Sequence, residues 1–205
     1  MKPDIILFVS SCIFSIFMTY TKVKSNKCSN KFKIRRAVRS ERSIICGKHC
    51  ANHLAASVRN ENELNSQIAD LPTDFPHLFS DEIFDKSICF VATVDDKIVG
   101  SINLVQEVSQ DRLNHKIFEL NSFSVDANYR NIGIGKSLIK TALLYACKEE
   151  ADEVKLLTLQ NVMHAAVKLY RHFGFEDYKE GVGGDYHLLY MSINKVKLAN
   201  IFSIK

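Results

Sequence analysis

The sharpest chemical signal in the chain is the stretch Val125-Asp126-Ala127-Asn128-Tyr129-Arg130-Asn131-Ile132-Gly133-Ile134-Gly135-Lys136-Ser137, set between a strand pattern and a helix pattern. A glycine-bearing turn at a helix start leaves backbone N–H groups without acceptors and adds the positive end of the helix dipole. Both favour a phosphate or pyrophosphate. Gly133 and Gly135 let the backbone approach such a ligand with no Cβ in the way. Two phosphate motifs fail on particular residues. A P-loop needs glycine where Arg130 stands, five residues before the glycine of Gly135-Lys136-Ser137. The dinucleotide fingerprint needs glycine three residues after Gly135, and Leu138 is there.

The elements that must hold this loop alternate between short strands and amphipathic helices from Phe32 onward. Phe32 to Val38 reads as a strand, and Arg42 to Arg59 as a helix. Residues 63 to 85 are mixed and broken by Leu71-Pro72-Thr73-Asp74-Phe75-Pro76. Ile88 to Val94 and Ile98 to Glu107 form a hairpin about Asp95-Asp96-Lys97. Ile117 to Val125 is the strand that leads into the loop, with Ile117, Phe123 and Val125 on one face and Phe118 and Leu120 on the other. A helix from Gly135 to Ala151 follows, then a buried strand from Val154 to Leu159. Met163, Ala166, Val167 and Tyr170 stand at helical spacing ahead of Gly174, a helix-ending glycine. Phe175 to Lys179 and Tyr186 to Ile193 complete the pattern as strands joined through Gly181-Val182-Gly183-Gly184. The order β-α-α-β-β-β-α-β-α-β-β predicts an α/β fold on one mixed sheet.

Composition narrows the class. The chain has 205 residues, 46% hydrophobic and 24% charged, which excludes collagen-like, coiled-coil and disordered chains. A net charge of +4 is too mild to call for a nucleic-acid partner. The six cysteines form no CxxC pair, and Cys46, Cys50, His49 and His53 make only a loose cluster. Free thiols and no metal are therefore expected.

The loop fits Arg/Gln-x-x-Gly-x-Gly/Ala as Arg130-Asn131-Ile132-Gly133-Ile134-Gly135. It follows a strand holding Glu119-Leu120 and ending Phe123-Ser124-Val125, and precedes a helix, a strand and Ala166-x-x-x-Tyr170-x-x-x-Gly174-Phe175. In these features residues 32 to 194 resemble the GNAT superfamily, the Gcn5-related N-acetyltransferases that use acetyl-CoA. The resemblance implies a mixed, mainly antiparallel twisted sheet flanked by helices. It implies that the backbone of Phe123, Ser124 and Val125 bonds the pantetheine arm. The amides of Arg130, Asn131, Ile132, Gly133, Ile134 and Gly135, with Lys136 and Ser137, would hold the pyrophosphate.

Acetyl transfer to an amine needs a neutral amine, a polarised thioester and a protonated leaving thiolate. Glu119 matches the family's general-base glutamate; the plainer alternative is a strand carboxylate facing solvent or paired with Lys116. Tyr170 matches the tyrosine that protonates the coenzyme sulfur, and core packing is its alternative. Met163 departs from the pattern, since many members carry asparagine there to contact the coenzyme arm. Asn161, two residues earlier, is the candidate substitute.

Ahead of the domain, Ile5 to Tyr20 is a 16-residue run without charge, followed by Lys22, Lys24, Lys27, Lys31 and Lys33. Three readings stand: a membrane anchor with the domain on the cytoplasmic face, a translation start at Met18, and a signal peptide. Residues 1 to 31 are thus a segment apart, and residues 195 to 205 a tail. The acceptor is an amine, carried by a small molecule, a protein or a peptide. Asp74, Asp81, Glu82 and Asp85 would suit a cationic one. A degenerate domain that binds acyl-CoA without catalysis is the competing function. The sequence leaves the acceptor and the oligomeric state open.

Overall fold

A computed structural model of the chain describes residues 31–48, 81–107, 115–183 and 186–202, with only the backbone for 81–83. The Ile5–Tyr20 run, the larger part of the Arg42–Arg59 helix, Asp74 and the side chains of Asp81 and Glu82 lie outside the described residues. No described helix is long and apolar enough to cross a membrane.

Strand β1 (Lys33–Arg36) precedes a 3-10 turn at Arg39–Glu41 and the helical residues 42–48, here α1. Then come α2 (Asp81–Lys86), β2 (Ser87–Val94), β3 (Lys97–Glu107) and β4 (Ile117–Val125). After β4 follow α3 (Ile134–Lys148), β5 (Glu153–Leu159), α4 (His164–His172), β6 (Glu176–Gly183), β7 (Tyr186–Asn194) and α5 (Lys195–Phe202). The seven strands form one sheet in the order β1-β2-β3-β4-β5-β7-β6. Every neighbouring pair is antiparallel except β4 and β5. Asp95 and Asp96 form the β2–β3 turn with φ of 46° and 61°, the left-handed pair that a two-residue hairpin demands.

The larger core lies between one sheet face and helices α3, α4 and α5. Leu138, Ile139 and Leu143 of α3 are fully buried there against Ile102, Leu104 and Leu120. Burying each such side chain contributes ~1.5–3 kcal/mol. The smaller core, on the opposite face, joins Ile45 and Phe84 to Cys89, Val91 and Ile98. There the Cys89 thiol is pushed up to about 12, chiefly by burial.

Three expectations change. Residues 195–202 are not a tail but helix α5, anchored by Leu198, which is wholly buried in the larger core. Gly181, Val182 and Gly183 belong to β6 itself, because they pair with Leu188, His187 and Tyr186 of β7. In β4, Phe123 and Val125 pack with Phe118 and Leu120, not on the face of Ile117. The cause is a bulge: between Ser101–Ser124 and Asn103–Asn121 the β4 strand carries one residue more than β3. Ser122 absorbs it at a φ of 51° and shifts the alternation by one.

Candidate functional site

The parallel pair β4–β5 is short. Ile117, Phe118 and Glu119 pair with Glu153, Val154 and Lys155, and there the pairing stops. Strand β4 continues along β3 to Val125, while β5 continues along β7 to Leu159. The facing edges of Leu120–Val125 and of Leu156–Leu159 therefore have no sheet partner, and the bulge at Ser122 lies in the parted stretch. Such an edge offers backbone N–H and C=O groups to an extended ligand, as another strand would. Around it the oxygens of Asn121 Oδ1, Ser122 Oγ and Ser124 Oγ are buried without hydrogen-bond partners, as are both amide atoms of Asn103 opposite. Buried polar atoms are seldom left so, and these mark a place where a polar ligand or water completes the bonding.

The glycine loop closes this stretch. Asp126 caps the turn by accepting from the Asn128 N–H at 3.0 Å, and its N–H donates to Val99 O at 2.9 Å. The Arg130 Nε donates to Val125 O at 3.0 Å, folding the loop back onto the end of β4. The first α3 backbone bond runs from Ser137 N to Gly133 O. Ile134, Gly135 and Lys136 thus present N–H groups with no acceptor inside the helix. The two glycines do different work. Gly133 needs its φ of 91°, and a Cβ there would meet nothing within 4 Å. At Gly135 a Cβ would stand 3.2 Å from Phe123 Cζ and 3.4 Å from Leu169 Cδ2, so that glycine serves helix–strand packing, not ligand approach. The Ile134 side chain is buried in the core, leaving only its backbone for a ligand. Arg130, Asn131, Ile132 and Lys136 are exposed, and Ser137 is half-buried.

Glu119 occupies the last rung before the strands part, half-buried. Burial raises its carboxyl above the ordinary range, and the charge of Glu107 adds to the rise. The alternative partner is engaged elsewhere: Lys116 Nζ lies 3.0 Å from Glu149. Tyr170 of α4 is buried, with ring centroids 6.0 Å from Phe123 and 5.8 Å from Phe175. Burial alone drives its phenol well above the usual range, so the hydroxyl stays protonated. The structure thus connects Tyr170 to the parted end of β4 through Phe123. Asn161 Oδ1 accepts from the His187 N–H at 3.1 Å, clamping the β5–α4 turn to β7. Met163 caps α4 without a side-chain hydrogen bond to the helix, and its sulfur accepts from Thr158 Oγ1 at 3.7 Å. Asp85, read as one of four acidic residues for a cationic acceptor, is paired with Arg39 at 3.0 Å.

Strand register adds residues that spacing along the chain could not single out. On the face of Glu119 stand Glu107, Glu153, Lys155 and, from the last hairpin, Tyr178 and Tyr190 with ring centroids 6.1 Å apart. Only the pairing of β3, β4, β5, β7 and β6 brings them together. Among the described residues no cluster could hold a metal ion.

Comparison with known proteins agrees with this fold. Residues 85–177 match the family model of the acetyltransferase (GNAT) domain. Over 107 residues the chain is 33% identical to N-acetyltransferase 8B of Homo sapiens, covering 52% of this chain and 46% of that protein. The chain thus spans about half the length of this relative. An acetyltransferase of the GNAT family from Staphylococcus aureus shares the fold at a TM-score of 0.60 and 20% identity, over 80% of this chain and 99% of its own. Spermidine N-acetyltransferase from Vibrio cholerae, in complex with CoA and spermine, superposes at a TM-score of 0.57 and 17% identity, over 84% of this chain and 100% of its own.

Proposed function

From the GNAT domain in this chain, we propose an N-acetyltransferase that moves the acetyl group of acetyl-CoA to a primary amine. The observation that carries the reading is the parting of β4 from β5 beyond Glu119, directly ahead of free N–H groups at the start of α3. The unpaired edge of Phe123, Ser124 and Val125 suits the amide-bearing pantetheine arm. The buried, unpartnered oxygens of Ser122 and Ser124 fit such an arm as well. The N–H groups of Ile134, Gly135 and Lys136, with the Lys136 charge, suit the pyrophosphate.

In this reading the new bond is amide N to acetyl carbon, and the bond that breaks is acetyl carbon to sulfur. Glu119 takes the proton the amine gives up, directly or through water. A carboxyl raised by burial is the stronger base for that task. Tyr170 gives its hydroxyl proton to the departing sulfur. A backbone N–H near Phe123 or Val125 polarises the carbonyl. Asn161 clamps the β5–α4 turn onto β7 beside the parted strands.

The acceptor is an amine of a small molecule or of a peptide, received on the face that carries Glu119, Tyr178 and Tyr190. Where Ile5–Tyr20 is inserted in a bilayer, the lysines after it hold this domain on the cytoplasmic face; retention in the membrane pellet after a carbonate wash tests it. The test of the function is thiol release from acetyl-CoA with a panel of amines. Turnover supports the transferase. Acetyl-CoA binding without turnover of any amine supports the non-catalytic alternative, which Met163 in the place of asparagine favours.

A further inference from the structure

We propose that Glu107 and Glu153 are positioning residues that draw the Lys155 ammonium away from Glu119 and so leave Glu119 unpaired. The inference rests on the reading of Glu119 as the base. Lys155 is the direct cross-strand partner of Glu119 on the final β4–β5 rung. Opposite charges so placed ordinarily pair. Here the Lys155 Nζ instead lies 3.7 Å from Glu153 and 4.0 Å from Glu107. Those two carboxylates occupy the preceding row, each opposite Ile117, one on β3 and one on β5. The lysine therefore leans back one row, between two carboxylates, and no described ion pair includes Glu119.

The consequence is chemical. A carboxylate holding an ammonium is a weaker base and is blocked from a cationic acceptor, whereas an unpaired, half-buried one can receive an amine and its proton. The groups facing Glu119 are Glu107 from β3, Glu153 and Lys155 from β5, Tyr178 and Lys179 from β6 and Tyr190 from β7, with the Lys179 Nζ held over the Tyr190 ring, 5.0 Å from its centroid. Tyr178 feels the same cluster: its phenol is raised by burial first, then by Glu153, Glu107, Tyr190 and Glu119. One cation shared by Glu107 and Glu153 neutralises part of this field without touching the base.

The experiment is a carboxyl carbon NMR titration of Glu119 in the full chain, with the signal assigned by its loss in Glu119→Gln. The double variant Glu107→Gln/Glu153→Gln should lower the Glu119 midpoint by about half a pH unit or more, the scale of a nearby charge gained or lost. Part of that fall comes from the lost negative charges alone, so the same double variant is repeated on top of Lys155→Met. The fall should then shrink to half or less, because no ammonium is left to move onto Glu119. A fall of equal size with and without Lys155 overturns the proposal, as does no fall at all. The titration reads Glu119 without turnover. If the midpoints move as expected while Glu119→Gln keeps full activity, the cluster stands and the reading of Glu119 as base fails.

Discussion

Gly135 and Phe123 approach so closely that a Cβ on the glycine would stand 3.2 Å from the phenylalanine Cζ. Val125 of the same strand and Leu169 of α4 close the same contact. The second glycine of the loop is therefore where α3 leans on the parted end of β4. Gly133, two residues earlier, points a missing Cβ into open space.

Gly135→Val should consequently lower stability more than ligand contact alone would suggest. Overpacking a tight contact costs ~1–3 kcal/mol, and a domain of this size loses ~2–4 °C in Tm for each kcal/mol. Thermal denaturation without ligand checks it. An unchanged Tm would mean that the contact relaxes freely.

Gly133→Ala separates the other role. A non-glycine residue held in the left-handed region costs ~1–2 kcal/mol, and here the strain falls on the exposed loop that aims the α3 N–H groups. Acetyl-CoA affinity by calorimetry should drop about tenfold, with a smaller loss of Tm than Gly135→Val gives. Unchanged affinity would remove Gly133 from the coenzyme site.

Much of this was legible in the sequence, for identifiable reasons. Glycine, arginine and the helical stripe through Leu138, Ile139, Ala142, Leu143 and Ala146 are local signals, and α3 begins and packs as they require. The bulge at Ser122 is not local, because serine carries no special preference for a φ of 51°. It moved Phe123 and Val125 to the core side, within the stretch where β4 and β5 have already parted. The carboxylates around Glu119 were equally hidden. Glu107, Glu153 and Lys155 look like solvated strand residues until the register sets them side by side. Helix α5 was missed because its apolar pattern is short, and Leu198 needed the α3 surface to bury it.

Glu119→Gln should change stability and rate in opposite senses. A carboxyl whose folded midpoint is raised destabilises the fold wherever the unfolded chain would already have ionised it. Its contribution is fully present below the ordinary carboxylate range and is lost as pH rises through the raised value. Glutamine stays neutral, so the variant should be more stable than wild type at neutral pH, and the gain should vanish below about pH 4, where the unfolded chain also holds the proton. Denaturant titrations at both pH values read this. The rate of acetyl transfer should fall ~10²–10⁴-fold, less at high pH where more acceptor is already neutral. A loss of rate together with a loss of stability at neutral pH would mark a structural residue.

Tyr170 tests the opposite proton step, and its position makes the test a clean one. The ring is 5% exposed and packs edge-to-tilted between Phe123 and Phe175, so its bulk belongs to the core. Tyr170→Phe retains that bulk and removes only the hydroxyl, and its Tm should stay within a few degrees of wild type. Tyr170→Ala removes both and should cost ~3–5 kcal/mol, the range for emptying a buried aromatic site. Acetyl-CoA affinity should be nearly unchanged in the phenylalanine variant, because the ring still supports Phe123 and the edge of β4. Turnover should nevertheless fall at least tenfold, since no hydroxyl remains to protonate the leaving sulfur. The deficit should be smaller for an acyl donor whose thiol is more acidic, because a better leaving group needs less help from an acid. Full turnover in Tyr170→Phe would assign the residue to packing alone and leave protonation of the sulfur to water.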